Sequence, residues 1–122
     1  MTAEILCVGT ELLIGDIVNT NAAYISKVLS YHGIDVLHHT VCGDNAKRLE
    51  ECFKTALERN DIVVTTGGLG PTYDDITKKV CAETLNLELA ADESIVKALK
   101  EYFERSGRVM TENNLLQALV PD

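Results

Sequence analysis

The run Asp61-Ile62-Val63-Val64-Thr65-Thr66 is short, β-branched and apolar, and it opens directly onto Gly67-Gly68-Leu69-Gly70-Pro71 and a helical pattern. Such a strand suits a central parallel position covered on both faces. The same order recurs along the chain. Ala3 to Val8 reads as a buried strand ending at Gly9, followed by a glycine-punctuated loop to Gly15. Asn19-Thr20-Asn21 supplies N-cap residues for a helix marked by Ile25, Val28 and Leu29 that stops near Gly33. Ile34 to Val41 is a second strand, and Asp44 or Asn45 caps the clearest helix, whose apolar face is Leu49, Cys52, Phe53, Ala56 and Leu57. After the third strand, a helix runs through Thr77, Val80, Cys81 and Leu85. Asp92 caps another with Ile95, Val96, Leu99, Tyr102 and Phe103, ending at Gly107. A short helix is expected from Thr111 to Leu119. Strand–helix alternation predicts a parallel sheet with helices on both faces and right-handed crossovers.

The 122 residues allow one domain, residues 1–122, with a single core. A net charge of -8 argues against nucleic acid, which demands a basic footprint, but not against a nucleotide held at a local site. No apolar run approaches the roughly 20 residues of a membrane span, and Met1-Thr2-Ala3-Glu4 is not the basic start of a signal peptide, so a cytoplasmic protein with no membrane partner is expected. Cys7, Cys42, Cys52 and Cys81 lie apart inside apolar segments, as small buried hydrophobes in a reducing compartment do. His38 and His39 fall on opposite faces of a strand, which spoils them as a joint chelate with Cys42.

In parallel sheets of this kind ligands sit beyond the carboxyl ends of the strands. The loops Gly9–Gly15, Gly43–Asn45 and Gly67–Asp75 should therefore converge. The third resembles a phosphate cradle, since glycines between strand and helix let backbone N–H groups face an anion. It is neither a Walker loop nor a clean dinucleotide fingerprint. Asp74 and Asp75 would repel a bare phosphate, so a bridging cation such as Mg²⁺ is expected. One aspartate suffices for a helix cap, which leaves the other for function. Thr10 and Glu11 on the first loop, Asn19 and Asn21 downstream, and Asp44 on the second loop join the candidates. Glu11, Asp44 and Asp75 are expected around one cleft, a set suited to metal-assisted chemistry at a phosphoanhydride.

Val8-Gly9-Thr10-Glu11-Leu12-Leu13-x-Gly15, Asn19-Thr20-Asn21, Gly43-Asp44-Asn45, Gly67-Gly68-Leu69-Gly70-Pro71-Thr72-x-Asp74-Asp75-x-Thr77 and Met110-Thr111-Glu112-Asn113-Asn114 together resemble the N-terminal domain of the CinA competence/damage-inducible family. The wider signature of molybdopterin-binding folds (MoaB/MogA type) is matched by Gly67, Gly68, Gly70, Asp75 and Thr77, with Asp44 as a further counterpart. The resemblance implies a three-layer α/β/α sandwich with a mostly parallel sheet, shortened at its C-terminus, that forms a homo-oligomer. It implies metal-dependent ADP-ribose pyrophosphatase activity giving AMP and ribose 5-phosphate. A separate C-terminal domain that deamidates nicotinamide mononucleotide would belong to the parent protein. On this reading Gly67, Gly68, Gly70, Thr72, Thr77, Thr10, Asn19 and Asn21 bind the nucleotide diphosphate. Asp75, with Asp44 or Glu11 and with Asp74 adjoining, serves Mg²⁺, Mn²⁺ or Co²⁺ and the catalytic water. Alternatives on the same loops are molybdopterin binding or adenylylation, and a non-catalytic nucleotide-binding or oligomerisation module.

Overall fold

A computed structural model describes all residues, Met1 to Asp122. Strand β1 (Thr2–Val8) is flanked by β2 (Asp35–Cys42) and β3 (Ile62–Thr66), both parallel to it, in the order β2-β1-β3. Alternation along β1 divides the core. Leu6 and Val8 pack with Leu49 and Phe53 of α3 (Ala46–Arg59) and Val80 of α4 (Thr77–Leu85), whereas Ile5 and Cys7 pack with Ala22 of α2 (Thr20–Tyr31). Helices thus lie on both faces, giving the expected three layers.

Several elements differ from the sequence reading. The centre of the sheet is β1, buried from Ala3 onward, while β3 lies at an edge with all five residues half-buried. A β-branched run signals two covered faces, and edge or centre is decided by which strands pair. The first loop contains a four-residue helix, α1 (Thr10–Leu13). The span between Leu85 and Asp92, to which no element was assigned from the sequence, holds β4 (Leu89–Ala91), antiparallel to β5 (Leu119–Pro121). The expected terminal helix is a 3₁₀ helix, Glu112–Ala118, leading into β5. Asn45 rather than Asp44 caps α3, with its Oδ1 accepting from the Arg48 N–H at 3.0 Å. Asp92 caps α5 (Glu93–Ser106), and Gly107 closes it in the left-handed region, both as expected. His38 and His39 alternate in exposure along β2, also as expected. No helix is long and apolar enough to cross a membrane.

Lys78, in the first turn of α4, fastens the terminal segment. Its Nζ donates to the carbonyls of Leu116 (2.8 Å), Gln117 (3.2 Å) and Leu119 (2.8 Å). Burial pushes its ammonium below the ordinary lysine value. Lys78→Met keeps the stem and removes three charge-assisted donations, so it should cost about 1–3 kcal/mol. Urea titration measures that loss. Limited proteolysis should show cleavage rising first in the terminal segment, and uniform cleavage along the chain would contradict the clamp.

Candidate functional site

The carboxyl ends of β1, β2 and β3 share one edge of the sheet, and their loops are joined there. The Gly9 N–H donates to the Cys42 carbonyl at 2.9 Å. Thr10 offers its N–H (3.4 Å) and hydroxyl (3.1 Å) to Asp44 Oδ2, and the Asp44 N–H donates back to Thr10 Oγ1 at 3.2 Å. Asp44, an exposed residue, is therefore held by the first loop rather than used as a cap.

The glycine loop is built on left-handed backbone at Gly67 (φ +87°) and Gly68 (φ +63°), which glycine adopts without steric cost. Thr77 pins it from below. Its hydroxyl donates to the Gly67 carbonyl at 2.8 Å and its N–H to the Gly68 carbonyl at 3.2 Å. Thr77 is 1% exposed, so this residue, expected to touch substrate, instead supports the loop. Neither Asp74 nor Asp75 caps α4, whose N-cap is Ile76 without a side-chain bond. Asp75 turns back into the loop, where its Oδ2 accepts from the Thr72 N–H (2.9 Å) and hydroxyl (2.7 Å). The Thr72 hydroxyl, then its N–H, and more weakly the Gly70 N–H hold the Asp75 carboxyl below the usual aspartate value against the opposing effect of burial. Gly70 is required for that approach, because a Cβ there would lie 2.6 Å from Asp75 Oδ2. The Thr72 and Gly70 donors, expected to face a phosphate, are thus engaged by Asp75. The N–H groups of Gly68 and Leu69 donate to no backbone carbonyl of the chain.

On the α2 side, a cavity of about 130 Å³ is lined by Val8, Glu11, Asn19, Asn21, Thr66 and Gly67 among others. Asn19 caps α2, accepting from the Ala22 N–H at 3.3 Å, while Asn21 donates to Thr66 Oγ1 at 3.2 Å and ties the helix to the end of β3. Glu11 folds its carboxylate back over Gly9. No three His, Cys, Asp or Glu side chains are grouped to hold a metal ion. The expectation of three carboxylates around one cleft is corrected accordingly. Glu11 faces the α2 side, Asp44 is held by Thr10, and Asp75 is turned into its own loop. Tyr73, which the sequence reading passed over, stands fully exposed at the loop tip.

A larger cavity, about 480 Å³, lies between β2 and α3 and is lined by Glu4, Thr40, Arg48 and Arg59 among others. Glu4, 1% exposed, accepts there from Arg59, Thr40 and Asn60. None of the expected site residues borders this cavity.

The family described as "Probable molybdopterin binding domain" matches residues 4–119. A competence-damage inducible protein of Clostridium beijerinckii is 52% identical over 122 residues, the whole of this chain and 30% of that protein. The chain thus spans about 30% of the length of the curated relatives it matches. The crystal structure of the protein CinA, of unknown function, from Thermoplasma acidophilum superposes with a TM-score of 0.84 at 39% identity, over 98% of this chain and 70% of that one. The molybdopterin biosynthesis enzyme MoaB of Thermus thermophilus shares the fold with a TM-score of 0.64 at 20% identity, over 98% of this chain and 78% of that one.

Proposed function

Because the chain belongs to the probable molybdopterin binding domain family and, within it, to the CinA group, we propose that its loop edge binds a nucleotide diphosphate. With a divalent ion, it there hydrolyses the pyrophosphate bond of ADP-ribose. The observation carrying this reading is the glycine loop, where unengaged Gly68 and Leu69 N–H groups adjoin an Asp75 carboxyl held in its ionised form. The N–H groups suit phosphate oxygens. The carboxylates, which would repel a phosphate alone, suit a cation between them and it.

The donor set fits a hard ion such as Mg²⁺, Mn²⁺ or Co²⁺. Asp75 and Asp44 each have one oxygen bonded within the protein, and ions of this kind are held by one or two carboxylates plus substrate phosphates rather than by a protein cage. Such an ion, when bound, offsets phosphate charge and polarises the phosphoryl oxygen. Gly68 and Leu69 bind the non-bridging oxygens, and Thr72 keeps Asp75 charged and oriented. Either Asp75 or Asp44 takes a proton from water as the water oxygen attacks one phosphorus. The phosphoanhydride bond breaks, and AMP and ribose 5-phosphate leave. The protein would act in the cytoplasm as a homo-oligomer on a small-molecule substrate, without nucleic acid. In the longer relatives it would work beside a C-terminal deamidase domain.

A second reading, molybdopterin binding or its adenylylation, is favoured by the family description itself. ADP-ribose incubated with the chain and each ion, quenched with chelator and read by phosphorus NMR, separates the two. AMP and ribose 5-phosphate should form only with metal, and at least roughly 10- to 100-fold more slowly in Asp75→Asn, the range for losing even an outer-shell partner of a metal site. A chain that binds ADP-ribose yet releases no AMP with any of the three ions would overturn hydrolysis in favour of the binding reading.

A further inference from the structure

Beside the glycine loop lies a cavity of about 360 Å³, lined by Pro71, Thr72, Tyr73, Asn113 and Leu116. It lies within the range of small-molecule sites, roughly 300–1,000 Å³. One wall is the loop itself and the other is the 3₁₀ helix Glu112–Ala118. The wall is held there by the Lys78 clamp, since Lys78 follows the loop by only a few residues and grips the Leu116 and Gln117 carbonyls. Its composition is specific. Tyr73 is 101% exposed and Leu116 45% exposed, an aromatic and an apolar surface left open to water. Of the two adjacent asparagines, Asn114 is engaged locally, its Oδ1 accepting from the Thr111 N–H (3.0 Å) and hydroxyl (2.9 Å), whereas Asn113 lines the cavity. Thr72 is common to this cavity and to the Asp75 carboxylate.

We propose that this cavity is the ring subsite of the phosphate-binding edge: a planar nitrogen heterocycle stacks on Tyr73 between Pro71 and Leu116, and the Asn113 amide reads its edge. The inference rests on phosphate binding at the glycine loop and extends it to the other end of the ligand. An exposed tyrosine supplies a rigid π face at low entropic cost. An amide carries both a donor and an acceptor, matching the mixed edge of a purine or pterin. Such stacking contributes roughly tenfold or more in affinity per ring.

Calorimetric titration of the chain with Mg²⁺ and three non-hydrolysed probes tests this. They are α,β-methylene-ADP, methylenediphosphonate, which lacks a ring, and neopterin monophosphate. Tyr73→Ala should weaken α,β-methylene-ADP roughly tenfold or more while leaving methylenediphosphonate unchanged, and Tyr73→Phe should retain binding. Tighter binding of the neopterin probe, equally lost in Tyr73→Ala, would support the subsite and assign it to a pterin. Equal affinity of Tyr73→Ala and the unaltered chain for every ring-bearing probe would overturn the subsite and leave the phosphate site standing. Failure of the unaltered chain to bind any probe would overturn both.

Discussion

Gly67→Ala should abolish the native fold or lower its stability by more than about 3 kcal/mol, among the largest losses of any single substitution in this chain. Two causes add. The residue sits at φ +87°, and a Cβ there would fall on the Val8 carbonyl oxygen and lie 3.1 Å from its carbon. Val8 cannot retreat, because it ends the central strand, is 2% exposed, and pairs with Cys42 on β2. Gly15→Ala provides the control. Its φ is +81°, but nothing lies within 4 Å of the added carbon, so only the backbone cost of about 1–2 kcal/mol remains. Urea titration of both variants gives the comparison. Equal losses would mean that the clash with β1 is relieved by loop movement, and the close approach of loop to strand would not be a constraint.

Arg59→Leu should lower the stability of the fold clearly at pH 7, though by less than breaking a fully enclosed pair, because the Arg59 side chain is 39% exposed. The substitution keeps an apolar stem in place and leaves the Glu4 carboxylate, 1% exposed on the central strand, with only Thr40 and Asn60. The Arg59 hydrogen bond is the largest influence holding the Glu4 carboxyl below its ordinary value of 4.5, helped by Thr40 and opposed by burial. A depressed carboxyl stabilises the fold in full above the unfolded-state value, about 4.3, and the stabilisation is lost as pH falls through the folded-state value. The deficit of Arg59→Leu should therefore be greatest at neutral pH and shrink toward pH 3. Urea midpoints across that range test it, and a deficit that does not depend on pH would show that packing rather than the ion pair holds this end of the sheet.

The parts of the fold carried by repeating patterns were legible in the sequence. Leu49, Phe53 and Ala56 form the buried face of α3 as their spacing requires, and alternation separates His38 from His39 along β2. The loop edge was legible too, because Gly9, Gly43 and Gly67 each follow a strand. Elements settled by distant partners were not. The Leu89-Ala90-Ala91 strand is only three residues long and exists through its pairing with Leu119 to Pro121. The edge position of β3 depends on which strand takes the middle, and a β-branched run cannot reveal that. At the candidate site, the hydrogen bonds of the named residues were not legible. Thr77 and Thr72 both looked like phosphate donors. The chain directs the first onto the Gly67 carbonyl and the second onto Asp75. Lys78 carried no sequence signal at all, because its acceptors are carbonyls of a distant segment.

The most direct test of the loop-edge site is an amide shift map of the ¹⁵N-labelled chain titrated with α,β-methylene-ADP and Mg²⁺. The largest shifts are expected on Gly68, Leu69, Gly70, Thr72 and Asp75, with smaller ones at Thr10 and Asp44. Shifts centred instead on Thr40, Cys42, Arg48 and Cys52, around the larger cavity between β2 and α3, would contradict the loop-edge site and move the binding site to the other side of β2.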